Sequence, residues 1–169
     1  MTMDSLNHRD NLIHLAEQVG MALHRKGWML ATAESCTGGW IAQSVTDVAG
    51  SSAWFDRGFV TYSNAAKTEM LGVESQLIER EGAVSEPVVL AMAAGALQFS
   101  HARVAVAVSG IAGPTGGTPD KPVGTVWFAW QVWDKKPVAR CEVLSGDRRE
   151  VRRKAVIVSL RGLLDVLEA

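Results

Sequence analysis

An apolar run is followed directly by a glycine-containing turn at residues 28–39, Trp28-Met29-Leu30-Ala31-Thr32-Ala33-Glu34-Ser35-Cys36-Thr37-Gly38-Gly39. The first half is short and apolar and is bounded by glycine, which predicts a buried strand. The second half is rich in hydroxyls and glycine, and a helical pattern follows it through Ile41, Val45 and Val48. A strand that runs directly into a helix is the repeating unit of an α/β protein.

The same alternation continues in both directions along the chain. Val104-Ala105-Val106-Ala107-Val108 is apolar at every residue, which is typical of a central strand covered on both faces. The other expected elements are a helix over 12–23, a strand over 55–62, a short helix capped by Asn64 and closing at Gly72, a helical turn over 77–81, a helix from Ser85 to Leu97, a hairpin over 123–144, and a last helix begun by Asp147 and Glu150.

This order of elements predicts a three-layer α/β/α sandwich with a mixed, mostly parallel sheet. Ligands of such sheets bind at the carboxyl ends of the strands. Ser35, Tyr62 and Gly110 each follow or end a predicted strand, so we expect them to meet at one crevice.

Composition limits the class of protein. A chain of 169 residues fits one domain, and we expect a polar N-terminal extension over 1–11 and a single domain over 12–169. Seventeen basic and eighteen acidic residues disfavour nucleic-acid binding, which normally needs a basic excess. No apolar run reaches the ~20 residues that span a bilayer. The polar start and the two cysteines favour a reduced, cytoplasmic protein without a membrane segment.

Ser35 is the candidate nucleophile, because it lies on a strand-to-helix turn. Backbone amides at such a turn, here those of Thr37, Gly38 and Gly39, can stabilise a phosphate or an oxyanion. Two alternatives stay open. Ser35 can be an ordinary helix cap, and the adjacent Cys36 can be either a rival nucleophile or a small buried residue.

The base for such a serine is not a histidine, since the four histidines lie in or before the first helix or at a helix end: His8, His14, His24 and His101. Lys67 and Tyr62 remain, at a second strand–helix junction. A lysine has a pKa of ~10.4 and must be desolvated to act as a base near neutral pH. The alternative is a solvated surface lysine. No group of residues has metal-ligand spacing, so neither a metal nor another cofactor is expected.

A glycine-rich loop follows the central strand and contains Gly110, Ile111, Ala112 and Gly113. Glycines let a backbone approach a ligand closely, as in phosphate-binding loops, although an ordinary long loop has the same composition. Arg148 begins the last helix, and an arginine suits bidentate phosphate recognition. It can equally be a surface residue.

Together these segments resemble one family, that of the PncC-type nicotinamide mononucleotide deamidases, which also forms the C-terminal domain of CinA (competence/damage-inducible) proteins. The resemblance runs from about Leu12 onward. It rests on residues 33–39, 58–64 with Lys67, 82–85, 109–114, 122–126 and 146–148.

The resemblance implies hydrolysis of the linear amide of nicotinamide mononucleotide to nicotinate mononucleotide and ammonia, in pyridine nucleotide recycling. It implies Ser35 as nucleophile, with Tyr62 and Lys67 as its activating partners. Arg148 and the glycine loop are expected to hold the nucleotide, and a homodimer is expected. Two rivals remain, a non-catalytic nucleotide-binding or regulatory domain linked to competence or DNA damage, and a cysteine amidase using Cys36.

Overall fold

Helices and strands alternate along the chain in the computed structural model, which describes the backbone of residues 3–169 and the side chains from residue 11 onward. The helices are α1 (Met3–Lys26), α2 (Trp40–Thr46), α3 (Asn64–Leu71), α4 (Ser75–Glu81), α5 (Glu86–Gln98) and α6 (Arg148–Glu168). The strands are β1 (Leu30–Glu34), β2 (Phe55–Val60), β3 (Val104–Gly110), β4 (Thr125–Val132) and β5 (Val138–Val143). A 3-10 helix at Ser51–Ala53 precedes β2.

The strands form one mixed sheet in the order β2-β1-β3-β4-β5. β2, β1 and β3 are parallel, and the hairpin of β4 and β5 joins them antiparallel. α1, α2 and α6 pack on one face, and α3, α4 and α5 pack on the other. The predicted three-layer sandwich with a mixed sheet is therefore confirmed.

The central strand β3 contributes residues to the hydrophobic cores on both faces of the sheet. Val104, Val106 and Val108 face the core under α1, α2 and α6, whereas Ala105 and Ala107 face the core under α5. The alternation follows from the period of two in a strand. Alanines on the α5 side allow that helix to lie close to the sheet, so the two faces are packed with side chains of different size.

Several element boundaries differ from the prediction, among them the starts of two helices and the end of β2, which closes at Val60 instead of Tyr62. α3 is capped by Ser63, whose Oγ accepts from the Ala66 amide at 3.0 Å, and Asn64 is already the first helical residue. α1 begins at Met3, so most of the segment 1–11 continues that helix, while residues 1 and 2 lie outside the described part. The side chain of His8 also lies outside it.

The start of α6 agrees with the prediction. Asp147 Oδ1 accepts from the Glu150 amide at 2.9 Å. Among the described helices, none is long and apolar enough to cross a membrane.

Candidate active site

Ser35 lies directly after β1, at the carboxyl end of the parallel strands. Its amide donates to the Val108 carbonyl at 3.0 Å, so the turn stays attached to β3 beyond the end of β1. The N-cap of α2 is Gly39, whose φ of 98° requires the left-handed conformation that glycine adopts readily. Ser35 is therefore not the cap of α2, and its hydroxyl is free for other contacts.

Lys67 of α3 reaches this hydroxyl from a buried position. Its side chain is 1% exposed, and Nζ lies 2.9 Å from Ser35 Oγ, 2.9 Å from the Thr61 carbonyl oxygen and 3.2 Å from the Tyr62 carbonyl oxygen. Burial lowers the pKa of Lys67 below its ordinary value of 10.5, because the charged form loses its hydration. The alternative of a solvated surface lysine is therefore wrong.

Tyr62 contributes to the site through its backbone. Its carbonyl oxygen lies 3.4 Å from Ser35 Oγ and accepts from Lys67 Nζ. Its ring is 61% exposed, and its hydroxyl lies 3.1 Å from Nη2 of Arg148. The described contacts thus join the Tyr62 hydroxyl to an arginine, and the serine and lysine to the Tyr62 carbonyl.

Cys36 is buried beside Ser35, as expected of a small packing residue. Desolvation raises the pKa of its thiol to about 12. The thiolate is the nucleophilic form of cysteine. A neutral thiol in this position is a poor nucleophile, which favours Ser35.

Glu34 is a residue of the site that the sequence analysis did not single out. The carboxylate is fully buried and accepts from the Ile41 amide at 2.8 Å, the Ala42 amide at 3.0 Å and the Thr37 hydroxyl at 2.7 Å. Burial raises the pKa of Glu34, and these hydrogen bonds act in the opposite direction. Glu34 therefore satisfies the first amides of α2 from the preceding strand. A signal existed in the sequence, since neither Gly38 nor Gly39 can cap a helix with a side chain.

Arg152 holds the same turn from α6. Its Nε donates to the Cys36 carbonyl at 2.9 Å and its Nη2 to the Thr37 carbonyl at 3.2 Å. Its guanidinium also lies 5.5 Å from the centre of the Trp40 ring, within cation–π range. The turn that carries Ser35 is thus held by Glu34, which accepts from the Thr37 hydroxyl, and by Arg152, which donates to two carbonyls of the turn.

The glycine loop is only partly brought to the site. Gly110 ends β3, and Ile111 exchanges backbone hydrogen bonds with Thr125 and Gly124. Ala112 is buried in the core under α1, α2 and α6. Gly113 is the residue of this group that meets a site residue, since its carbonyl accepts from Arg148 at 2.8 Å.

A cleft of about 490 Å³ opens beside the Ser35 turn, and we call it the arginine cleft. This volume lies within the range of small-molecule sites. Its lining consists of Thr37, Gly38, Gly39, Trp40, Gln43, Arg148, Arg149 and Arg152. In the part of the chain whose side chains are described, no group of three or more His, Cys, Asp or Glu residues is placed to hold a metal ion.

A serine hydroxyl in contact with a buried lysine, at the carboxyl end of a parallel strand of an α/β sandwich, is an arrangement that suits a nucleophile and its base. Residues 12–167 match the model of the CinA C-terminal domain. The chain belongs to this family. The family membership that the sequence motifs predicted is therefore confirmed.

Relatives and solved structures agree with this assignment. The nicotinamide-nucleotide amidohydrolase PncC of Escherichia coli strain K12 is 57% identical over 152 residues, which cover 90% of this chain and 92% of that protein. The protein of the same name from Pseudomonas putida is 54% identical over 93% of this chain and 98% of its own length. The crystal structure of the competence/damage inducible protein CihA from Agrobacterium tumefaciens matches with a TM-score of 0.90 at 44% identity, over 94% of this chain and 96% of that one.

Proposed function

We propose that this chain hydrolyses the carboxamide of nicotinamide mononucleotide to nicotinate mononucleotide and ammonia, in pyridine nucleotide recycling. Relatives named nicotinamide-nucleotide amidohydrolase are 57% and 54% identical to it over 90% and 93% of its length. Identity of this extent over nine tenths of the chain supports the same reaction class here.

The contacts of the Lys67 amine carry the proposal for the mechanism. Two of its three neighbours, the Thr61 and Tyr62 carbonyl oxygens, can only accept hydrogen bonds. A neutral amine donates its two N–H bonds to these carbonyls, and its lone pair is left for the hydroxyl proton of Ser35. The lowered pKa of Lys67 favours this neutral form. The arrangement suits a base that activates Ser35.

The first half of the reaction forms an acyl-enzyme. Lys67 accepts the hydroxyl proton as Ser35 Oγ bonds to the carboxamide carbon, and the carbonyl oxygen becomes an oxyanion. The Gly38 amide already donates to the Ser35 carbonyl at 3.1 Å. The amides of Thr37 and Gly39 have no acceptor among the described residues, so we assign oxyanion stabilisation to these two.

The second half releases both products. Lys67 returns its proton to the departing nitrogen, which leaves as ammonia when the carbon–nitrogen bond breaks. Water then attacks the ester carbonyl, Lys67 accepts a proton from it, and Ser35 Oγ leaves and is reprotonated. The acid product is nicotinate mononucleotide, and water and Lys67 together balance the protons.

The experiment that tests the function is ammonia release from nicotinamide mononucleotide by the purified protein. We expect turnover by the natural chain and its loss in Ser35→Ala. The variant Cys36→Ala separates the serine from the cysteine mechanism, because it removes the buried thiol and should retain turnover only if Ser35 is the nucleophile. Binding of the mononucleotide without ammonia release would instead support the non-catalytic nucleotide-binding domain.

Assembly and location stay predictions. The homodimer expected from the family resemblance has a simple test in light scattering at micromolar concentration, where a particle of one 18.2 kDa chain would refute it. A cytoplasmic location follows if the substrate is an intracellular nucleotide, and cell fractionation tests it.

A further inference from the structure

We propose that the arginine cleft binds the phosphate of the substrate, and that Arg149 is the cation that contacts it. This inference rests on the proposed function, because it assumes a phosphorylated nucleotide at the Ser35 site. Other groups near Ser35 that could contact a phosphate, namely the first amides of α2 and two arginines of the cleft, already have partners within the protein.

The N-terminus of α2 is the first of these candidates. Helix amides commonly bind phosphate, but the Ile41 and Ala42 amides here donate to the carboxylate of Glu34. A phosphate at this position would have to displace a buried carboxylate and would meet its negative charge. The Ile41 and Ala42 amides are therefore not available to the phosphate.

Two of the three arginines of the cleft are also engaged. Arg148 donates to the Gly113 carbonyl and contacts the Tyr62 hydroxyl. Arg152 donates to the Cys36 and Thr37 carbonyls. Both contribute positive charge to the cleft, but their donors are directed largely at protein oxygens.

Arg149 differs from both of its neighbours. It lines the arginine cleft and is exposed, and it has no hydrogen bond or ion pair with any residue in the part of the chain whose side chains are described. Its five donors are available to a ligand, and a guanidinium matches the geometry of phosphate oxygens. Arg149 also lies in the first turn of α6, where the helix dipole favours an anion.

The remaining lining fits an anion. The eight lining residues include three arginines and no aspartate or glutamate. Gln43 can donate from its side-chain amide, and Gly38 and Gly39 expose backbone without a side chain. A dianionic phosphate would therefore meet positive charge without a competing carboxylate on the wall of the cleft.

The cleft also lies at the right place for a mononucleotide. Gly39 is four residues after Ser35, which limits their Cα separation to about 14 Å even for an extended chain. The Gly38-to-Ser35 hydrogen bond folds this segment into a turn and brings the cleft closer. The pyridine ring at Ser35 and the phosphate in the cleft are then connected by one ribose.

The test compares two substrates and two variants. Arg149→Gln removes the charge in the cleft, and Arg153→Gln removes a charge from the same helix outside the cleft lining. We expect Arg149→Gln to lower kcat/KM for nicotinamide mononucleotide by about 10- to 100-fold, mainly through KM, as is typical for loss of a hydrogen bond to a charged group. Its kcat/KM for nicotinamide riboside should stay within about twofold of the natural chain, as should both values of Arg153→Gln.

Several outcomes would overturn the subsite. These are an unchanged KM for the mononucleotide in Arg149→Gln, an equal loss on both substrates, or an equal loss in Arg153→Gln. If the natural chain released no ammonia from either substrate, the proposed function would fail separately. Calorimetric titration with nicotinamide mononucleotide then decides the subsite, with weaker binding to Arg149→Gln supporting it and equal binding refuting it.

Discussion

Two helices begin beside the arginine cleft, and their first turns are built in opposite ways. At α2 the first amides donate to a buried carboxylate of the protein itself, that of Glu34. At α6 the cap is the exposed Asp147, and the first turn presents Arg148 and Arg149 to the cleft. The start of a helix therefore holds the Ser35 turn in one place and presents positive charge to the arginine cleft in the other.

The difference predicts different kinetic effects. Residues around the buried turn position or activate Ser35, so their substitution should act on kcat. Residues at the start of α6 contact the cleft, so their substitution should act on KM.

The largest loss is expected for the serine and lysine pair. Lys67→Met should lower kcat by about 10²- to 10⁴-fold, the usual contribution of a general base, and Ser35→Ala should lower it at least as much. The double variant should lose little more than either single one, because the two groups act as a unit. Ammonia release measures the rates, and circular dichroism checks the fold. Near-normal turnover of folded Lys67→Met would require another base.

A strong pH dependence is expected next. Below its lowered pKa, Lys67 is an ammonium ion with no lone pair, so kcat should rise about tenfold per pH unit and level off below 10.5. Because the folded chain then holds fewer protons than the unfolded chain, its free energy of unfolding should also rise with pH between the lowered pKa and 10.5. A kcat–pH profile and urea unfolding at several pH values measure both. A kinetic midpoint at or above 10.5 would contradict the assignment.

The two helix caps provide a matched pair of variants. In Glu34→Gln an amide N–H₂ group replaces one acceptor oxygen, so a buried donor of α2 loses its partner. This should cost about 1–3 kcal/mol of unfolding free energy and lower kcat about tenfold with little change in KM. Asp147→Asn should cost well under 1 kcal/mol, because asparagine is also a good N-cap. Equal effects of the two variants on stability and kcat would remove the distinction between the caps.

The smallest effect is expected for Tyr62→Phe. The variant keeps the backbone carbonyl that contacts Ser35 and Lys67 and loses only the hydroxyl near Arg148. We therefore expect a change of a few-fold, mainly in KM, since a neutral hydrogen bond contributes about 1 kcal/mol. Steady-state kinetics with nicotinamide mononucleotide provide the measurement. A loss of kcat of a hundredfold or more would show that the hydroxyl relays the proton.

The cap of α3 shows why the prediction was less accurate at single residues than at whole elements. Ser63 and Asn64 are adjacent, and both are good caps, so local propensity does not choose between them. The structure chooses Ser63, and this places Lys67 one position further along the helix than a cap at Asn64 would. Element boundaries depend on such small differences in free energy.

The role of Glu34 was missed for another reason, because the two glycines before α2 show that a cap is needed but not which residue supplies it. A glutamate at the end of a strand is normally solvated, and nothing in the adjacent residues shows that its carboxylate is fully buried. The burial arises because α2 folds back over the end of β1 and brings its amides to the carboxylate. Only the three-dimensional arrangement joins these groups.

The sequence by itself determined the sandwich, the strand-to-helix turn with Ser35, and the family. Hydrophobic periodicity and glycine turns are local signals, and the family motifs are read directly from the order of residues. The tertiary structure alone decided that Lys67 is buried against Ser35, that the Tyr62 hydroxyl meets Arg148, and that Arg149 is left facing the cleft. These depend on burial and on contacts between residues as far apart as 62 and 148, which local patterns do not record.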